Sequence, residues 1–288
     1  MNYHNDPMLI LRVKGGLGNQ LFQYATARAV AEKRGLHLKL DSETGFSRDT
    51  YERAFRLNCF AITAETATRA EVEAARLRWG LHTLLARRVE GLLIAKRRSN
   101  FCPLALRVAV SRRGGYLEGY WHSEEYFKSI RDLLRREFSI LIPHDSITAS
   151  YCATVRSCNS VAVHVRRIRF AYQCNMEYYV AALSLLRQKV GNNLTVFLFS
   201  DDTEWALTQG RSVFKDFIQV PVSESDGDIQ QLRVFSACRH HVLANSTFGW
   251  WGAWLADDEN HVVIAPRVGW DGTDRVIDHI LPARWCAL

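Results

Sequence analysis

Long apolar runs are missing from this chain. Nowhere do about eighteen apolar residues follow one another, so no segment is expected to cross a bilayer as a helix. The C-x-x-C pairing is also missing. The seven cysteines (Cys59, Cys102, Cys152, Cys158, Cys174, Cys238 and Cys286) are scattered and odd in number. That argues against a metal cage and a secreted disulfide framework, and for a reducing compartment. The opening residues Asn2, His4, Asn5 and Asp6 are polar, so no signal peptide is read and a cytoplasmic location is expected. Low-complexity tracts and internal repeats are absent. So are a P-loop, a dinucleotide fingerprint and a D-x-D metal-diphosphate clamp, for which Asp201-Asp202 is the nearest substitute. The net charge of +7 permits nucleic acid, anionic membrane or sugar nucleotide as partner without choosing among them. No nucleic-acid motif or basic-aromatic stretch occurs, so nucleic acid is not expected.

What the chain does contain is an alternation. Apolar runs predict strands at 8–13, 36–40, 160–165, 194–200, 217–220, 241–244 and 261–265. Helical patterns fall between them at 20–33, 176–189, 226–238 and 247–256. This βαβ rhythm predicts an α/β fold of parallel sheets covered by helices. The pattern restarts after 139–143, which predicts an N-terminal domain over 1–150 and a C-terminal domain over 151–288.

Three segments carry chemistry. The run 245–255, N-S-T-F-G-W-W-G-A-W-L, follows a predicted strand and opens a predicted helix. Ser246 and Thr247 then stand at a helix start, where they either cap orphan N–H groups or help those groups hold an anion. The run 15–20, G-G-L-G-N-Q, has the strand–glycine turn–helix layout of a nucleotide-facing loop, and equally of a tight structural turn. The run 164–170, H-V-R-R-I-R-F, places guanidiniums at the C-terminal end of a predicted strand, where open α/β sheets bind ligands. Arginine offers a rigid fork of donors suited to phosphate oxygens.

These segments, in this order, resemble the bacterial α-1,2-fucosyltransferases of glycosyltransferase family eleven. The opening G-G-L-G-N-Q-L-F-Q-Y-A, the His164–Arg167 part of H-x-R-R-x-D, the middle motif at 199–205, the stretch Gly119-Tyr120-Trp121 with Tyr126-Phe127, and the S-T-F-x-W-W-G-A-W-L signature are all similar to that family. Two positions depart from it. The family's acid after H-x-R-R-x is Arg169, preceded by Ile168 in place of glycine, and Gly249 stands where serine is usual. The Arg169 exchange removes a candidate acid, base or arginine-orienting carboxylate and offers a further phosphate cation.

The resemblance implies two Rossmann-like domains facing a cleft, the GT-B-type architecture, with the donor in the C-terminal domain. It implies an inverting, metal-independent transfer of L-fucose from GDP-fucose to an oligosaccharide or lipid-linked glycan, with no cofactor. Arg166 is the expected principal cation on the diphosphate. Arg167, Asp201, Asp202, Ser246, Thr247 and Phe248 are expected to bind the donor. Gly16, Gly18, Asn19 and Gln20 form the glycine-rich loop on the expected acceptor side. His164 is a candidate base or phosphate-orienting group, or else a satisfied core histidine; Asp41 and Glu177 are weaker candidates. For Asp201 and Asp202 a helix cap stands beside the ligand role. Another GDP-sugar donor, or an inactive nucleotide- or glycan-binding relative, are the competing readings.

One further region stands apart. Residues 69–98 predict a long basic helix in which Leu77, Leu81, Leu84, Leu85, Leu92 and Leu93 form an apolar stripe. Two readings are open: a helix that covers its domain and solvates its basic face, or one that lies on the inner face of a membrane near lipid-linked acceptors.

Overall fold

The computed structural model describes residues 7–97, 106, 110–111, 113–168, 172–223, 226–256, 260–274, 276–277 and 279–288, leaving aside the side chains of 90, 91 and 93–97. Packing divides the chain into two units, 1–141 with 278–280, and 142–277 with 281–288. Both adopt the parallel α/β class predicted from the alternation of apolar runs.

The first unit contains β1 (Met8–Arg12), α1 (Leu17–Arg34), β2 (His37–Asp41), β3 (Glu65–Thr66), α2 (Arg69–Arg97), β4 (Val110–Ser111), β5 (Gly114–Leu117) and α3 (Arg131–Glu137). Its sheet has the order β3-β2-β1-β5-β4, parallel except for the antiparallel β4–β5 pair. Strand β5 is not legible as an apolar run, because its first two residues are glycines. The backbone requires the first of them. Gly114 has φ 125°, and a Cβ there would lie 2.1 Å from the carbonyl oxygen of Met8 on the neighbouring strand. Helix α1 ends at Gly35, whose left-handed backbone (φ 62°) lets its N–H reach the carbonyls of Ala31 and Glu32.

The second unit contains α4 (Ser146–Ser157), β6 (Ser160–Val165), α5 (Met176–Val190), β7 (Thr195–Ser200), α6 (Thr203–Leu207), α7 (Gly210–Phe214), β8 (Ile218–Gln219), α8 (Gly227–Ala237), β9 (His240–Val242), α9 (Thr247–Leu255), β10 (Val263–Ala265) and β11 (Cys286–Ala287). Its sheet runs β11-β10-β9-β6-β7-β8, and every described pairing is parallel. All of β6 is buried, as expected for a central strand covered on both faces.

The strand orders locate the crevices. In the second unit the chain steps from β6 to β7 and β8 on one side, then crosses to β9 on the other. In the first it steps from β1 to β2 and β3, then crosses to β5. At such reversals the loops leaving neighbouring strands diverge, and the carboxyl ends of the strands frame a binding crevice. The reversal in the second unit lies between the loops that begin at Arg166 and Leu243. That in the first lies between the loops that begin at Val13 and Glu118.

Candidate functional site

The two arginines of the second unit are held by the strand next door. Strands β6 and β7 pair in a register that sets Val165 opposite Ser200. The next residues, Arg166-Arg167 and Asp201-Asp202, therefore leave the sheet together. The Asp201 carboxylate accepts hydrogen bonds from the backbone N–H of Arg167 (2.8 Å) and of Ile168 (3.1 Å). It also faces the Arg166 guanidinium at 3.1 Å. Asp202 caps α6 by accepting from the N–H of Trp205 at 2.9 Å, and pairs with Nε of Arg167 at 3.4 Å. The Arg167 guanidinium lies over the Trp205 ring, 4.6 Å from its centre, in a cation–π contact. Both arginines stay partly exposed. The cap expected as one role of Asp202 is thus present, and Asp201 shapes the loop that presents the arginines. Both carboxylates remain partly exposed.

Across the reversal, α9 begins at Ser246, whose backbone is extended and whose side chain makes no capping hydrogen bond. Ser246, Thr247 and Phe248 are partly exposed. A helix start with open N–H groups and two hydroxyls beside it is a ready anion site. The neighbouring Asn245, almost fully buried, fixes this start. Its side-chain amide donates to the carbonyl oxygens of Tyr172 (3.0 Å) and Gly269 (2.7 Å). Trp250, Trp251 and Trp254 are fully buried, with ring centres 5.0–6.4 Å apart, so the aromatic signature is the core that seats the helix. Gly252 permits the approach to α8, since a Cβ there would lie 2.2 Å from the Phe235 ring.

His164 joins the two halves of this edge. Its ring lies 5.7 Å from Phe248 and 5.8 Å from Phe235, and its Nδ1 has no hydrogen-bond partner. Burial, with Arg166 adding to it, lowers its pKa to about 3. The imidazole is therefore neutral across the physiological range, the form that accepts a proton but with little affinity for one, and its packing is that of a core group that positions the first turn of α9.

In the first unit the glycine turn is locked from inside. Gly15 has φ 80°, a conformation glycine adopts freely. The Gln20 amide is fully buried and spends both ends on the backbone. It donates to the carbonyls of Gly15 and Ala54, each at 2.8 Å, and accepts from the N–H of Arg56 at 2.9 Å. Gln23 does the same for Lys14. Of the loop residues expected to meet a ligand, Gly16 and Asn19 are partly exposed, whereas Gly18 and Gln20 are buried. Asn19 is paired to His122 at 3.0 Å, and burial lowers that imidazole's pKa to about 4. Asp41 is buried and satisfied by Tyr116 and Thr44, and Glu177 is exposed in the first turn of α5. Arg169 lies outside the described residues.

Sequence reasoning missed three features. Trp205 supports Arg167, Asn245 ties two loops to the α9 start, and Glu118 draws Arg12 (2.8 Å), Lys14 (3.0 Å) and Arg87 (3.6 Å) together at the edge of the first sheet. Trp205, one turn after Asp201-Asp202, carried a readable signal. Glu118 did not, because its partners come from the end of β1 and from α2, distant in the chain from Glu118 and from each other.

Residues 109–276 match the family described as Glycosyl transferase family 11. The chain is 29% identical to the alpha-1,2-colitosyltransferase of Escherichia coli, over 96% of this chain and 98% of that one. It is 28% identical to the O-antigen biosynthesis glycosyltransferase WbnK of Escherichia coli, over 91% of this chain and 95% of that one. Among solved structures, the fucosyltransferase NodZ from Bradyrhizobium superposes with a TM-score of 0.51 at 17% identity, over 86% of this chain and 93% of that one. NodZ, an alpha-1,6-fucosyltransferase, has also been co-crystallised with GDP, and that structure superposes with a TM-score of 0.52. At such identities the likeness is one of fold, the GT-B type.

Proposed function

The chain belongs to glycosyltransferase family 11, and we propose that it transfers L-fucose from GDP-fucose to a galactoside-type hydroxyl in α-1,2 linkage, with inversion and without a metal. The observation that carries this reading is the braced pair Arg166–Arg167 at the strand-order reversal of the second unit, beside the uncapped start of α9. The names of the relatives support a deoxyhexose donor, and the GDP bound to NodZ supports a guanosine diphosphate leaving group.

In this reading the diphosphate sits over the edge of the second sheet. Arg166 presents its guanidinium fork to the phosphate oxygens, with Asp201 fixing its direction. Arg167, stacked on Trp205, adds a second cation. The N–H groups opening α9 and the hydroxyls of Ser246 and Thr247 take the remaining oxygens, while Phe248 borders the donor. Donors fixed in advance around developing charge are usually the largest catalytic term. Charge-assisted hydrogen bonds contribute roughly 1.5–3 kcal/mol each, so three of them contribute substantially to stabilising the departing diphosphate without a divalent metal. As the bond from the anomeric carbon to the diphosphate oxygen breaks, the acceptor hydroxyl oxygen bonds the opposite face of the oxocarbenium-like carbon and then releases its proton to solvent, a course that asks little of a base and is consistent with the low proton affinity of His164. The first unit, with Gly16 and Asn19 at its loop, takes the glycan acceptor, an oligosaccharide or a lipid-linked one, in the cytoplasm.

A second donor has its own observation, the colitosyltransferase relative matched along nearly the whole chain. Colitose is fucose without its 3-hydroxyl. A site that hydrogen-bonds this hydroxyl rejects the deoxy sugar strongly, whereas an apolar one discriminates weakly. Transfer assays with GDP-fucose, GDP-colitose and GDP-mannose, each with and without EDTA, test the proposal. Turnover of GDP-fucose unaffected by chelation supports it. Exclusive use of GDP-colitose moves the donor to the second reading. No turnover, with no thermal stabilisation by GDP, overturns both. Arg169→Asp in the same assays shows whether the exchanged residue selects the donor.

A further inference from the structure

Helix α2 (Arg69–Arg97) buries one face and leaves a second apolar face uncovered. It meets its sheet through small and medium side chains: Val72, Ala75, Thr83 and Ala86 are buried, and Val72 and Ala75 pack with Ile10 and Tyr116. The leucines point the other way. Leu77 is 90% exposed, Leu81 69%, Leu92 64%, Leu84 58% and Leu85 47%. With ~100° of rotation per residue, these five fall within about 100° of the helix circumference, opposite the buried face. At ~1.5 Å of rise per residue, the strip from Leu77 to Leu92 runs about 22 Å. A helix that merely covers its domain carries polar residues there. On the same wheel Arg88 lies among the leucines, with Arg78 on one flank and Arg76 and Arg87 on the other. Glu73 is the acid at that edge, and it pairs with Arg69 at 3.0 Å.

A groove of about 590 Å³ opens beside the strip, lined by Arg76, Leu77, Leu84, Arg87, Tyr116 and Glu118 among others. Its charged lining is balanced, Arg76 and Arg87 against Glu73 and Glu118. Glu118 is itself paired with Arg12, Lys14 and Arg87. The positive charge of this region therefore lies along the leucine strip, at Arg78 and Arg88 as well as Arg76 and Arg87.

We propose that the leucine face of α2 docks on an anionic lipid bilayer, its leucines entering the acyl boundary and its arginines meeting lipid phosphates. Leucine with flanking arginine is the composition of a helix that lies in the plane of a membrane surface, the long arginine stems reaching up to the headgroups. A second copy of the chain fits less well. An isologous pairing of this face would set Arg76, Arg78, Arg87 and Arg88 against the same residues of the other copy, and Glu73 supplies little to offset them. An acidic protein surface satisfies the arginines but leaves no reason for five exposed leucines in a row along one strip. The net charge of +7 acts in the same direction as the arginines.

The test is co-sedimentation of the full chain with vesicles of phosphatidylcholine alone and of phosphatidylcholine containing phosphatidylglycerol. The wild type is expected to pellet with the anionic vesicles, to stay in solution with the neutral ones, and to be released by salt. Leu81→Ser with Leu85→Ser, and separately Arg78→Glu with Arg88→Glu, should each weaken partition about tenfold or more. Neither pair should alter the melting temperature or the hydrolysis of GDP-sugars, because these side chains lie on the solvent side of the helix. Equal pelleting with both vesicle types overturns the proposal, as does unchanged partition of the arginine variant. So does a leucine variant that turns a dimer into a monomer in sedimentation velocity while binding vesicles normally, since the face would then be a contact between copies. Vesicle binding is read independently of transfer, so a failed donor assay leaves this result standing.

Discussion

Gly249 lies against His164. A Cβ on Gly249 would sit 2.7 Å from Nδ1 of His164, closer than carbon and nitrogen tolerate. The imidazole has no easy retreat, because Phe235 and Phe248 flank it. The missing side chain is what lets the first turn of α9 rest on the end of β6, and so brings the anion-ready helix start to the edge that carries the arginines.

Gly249→Ala should therefore lower stability by about 1–3 kcal/mol, the usual range for overpacking a tight core. It should also weaken GDP binding, because the helix start moves. Gly249→Ser should recover part of both losses, since its hydroxyl can donate to the unpartnered Nδ1. Melting curves with and without GDP read both effects; an alanine variant that melts and binds like wild type removes the spacing argument.

Arg166→Ala should reduce transfer by at least about a hundredfold, as expected when a charged group on the leaving diphosphate is lost. Arg166→Lys should restore little, because a point charge does not reproduce a planar fork. Asp201→Asn should act in the same direction, since the amide oxygen accepts from only one of the two loop N–H groups, the NH2 faces the other, and the countercharge to Arg166 is gone. Normal kcat/KM in both arginine variants would mean that the diphosphate is held elsewhere.

Ser246→Ala with Thr247→Ala should raise the Kd for GDP while shifting stability by less than the ~1 kcal/mol of a lost helix cap. The reason is that Ser246 makes no capping bond to lose. Titration calorimetry and thermal melts separate the outcomes. Early melting with unchanged GDP affinity would assign the hydroxyls to the fold.

Three histidines with lowered pKa values, His164 and His241 buried and His122 partly exposed, make the protein acid-sensitive. Burial lowers the pKa of His164 to about 3, of His241 to about 3 and of His122 to about 4, each from an ordinary 6.5. Between those values the unfolded chain binds more protons than the folded one, so stability falls as pH drops from about 6.5 toward 4 and gains nothing from these groups above that window. Urea unfolding across pH 4–8 checks the direction. A flat profile would place these rings in water. The pH–rate profile should likewise show no limb from His164 near neutrality.

Gln20→Glu should destabilise the first unit, because a carboxylate cannot donate to the carbonyls of Gly15 and Ala54. Leaving such buried groups unsatisfied costs about 1–3 kcal/mol each. Gly16→Ala has open space around the new Cβ and should leave the fold intact. If Gln20→Glu melts at the wild-type temperature, the amide staple is not what holds the glycine turn.

Local pattern alone determined the parallel α/β class, the position of β6 and the start of α9. Continuous apolar runs, a glycine turn and a cluster of guanidiniums are local signals, and local signals survive in a one-dimensional string. Strand β5 was not legible, because it opens on two glycines, the first of which answers to a close approach by β1 that no local pattern records. The role of Asp201-Asp202 needed the β6–β7 register, which sets two carboxylates beside two arginines from 34–35 positions away in the chain. The tryptophans of α9 read as a signature, yet only their packing shows that they seat the helix and leave ligand contact to the residues at its start. The leucines of α2 read as an apolar stripe that could cover the domain or face a membrane, and it is the smaller Val72, Ala75 and Ala86 that face the sheet. Composition says which faces of a helix are apolar; which of them meets the sheet is decided by the partner surface, and that exists only once the chain has folded.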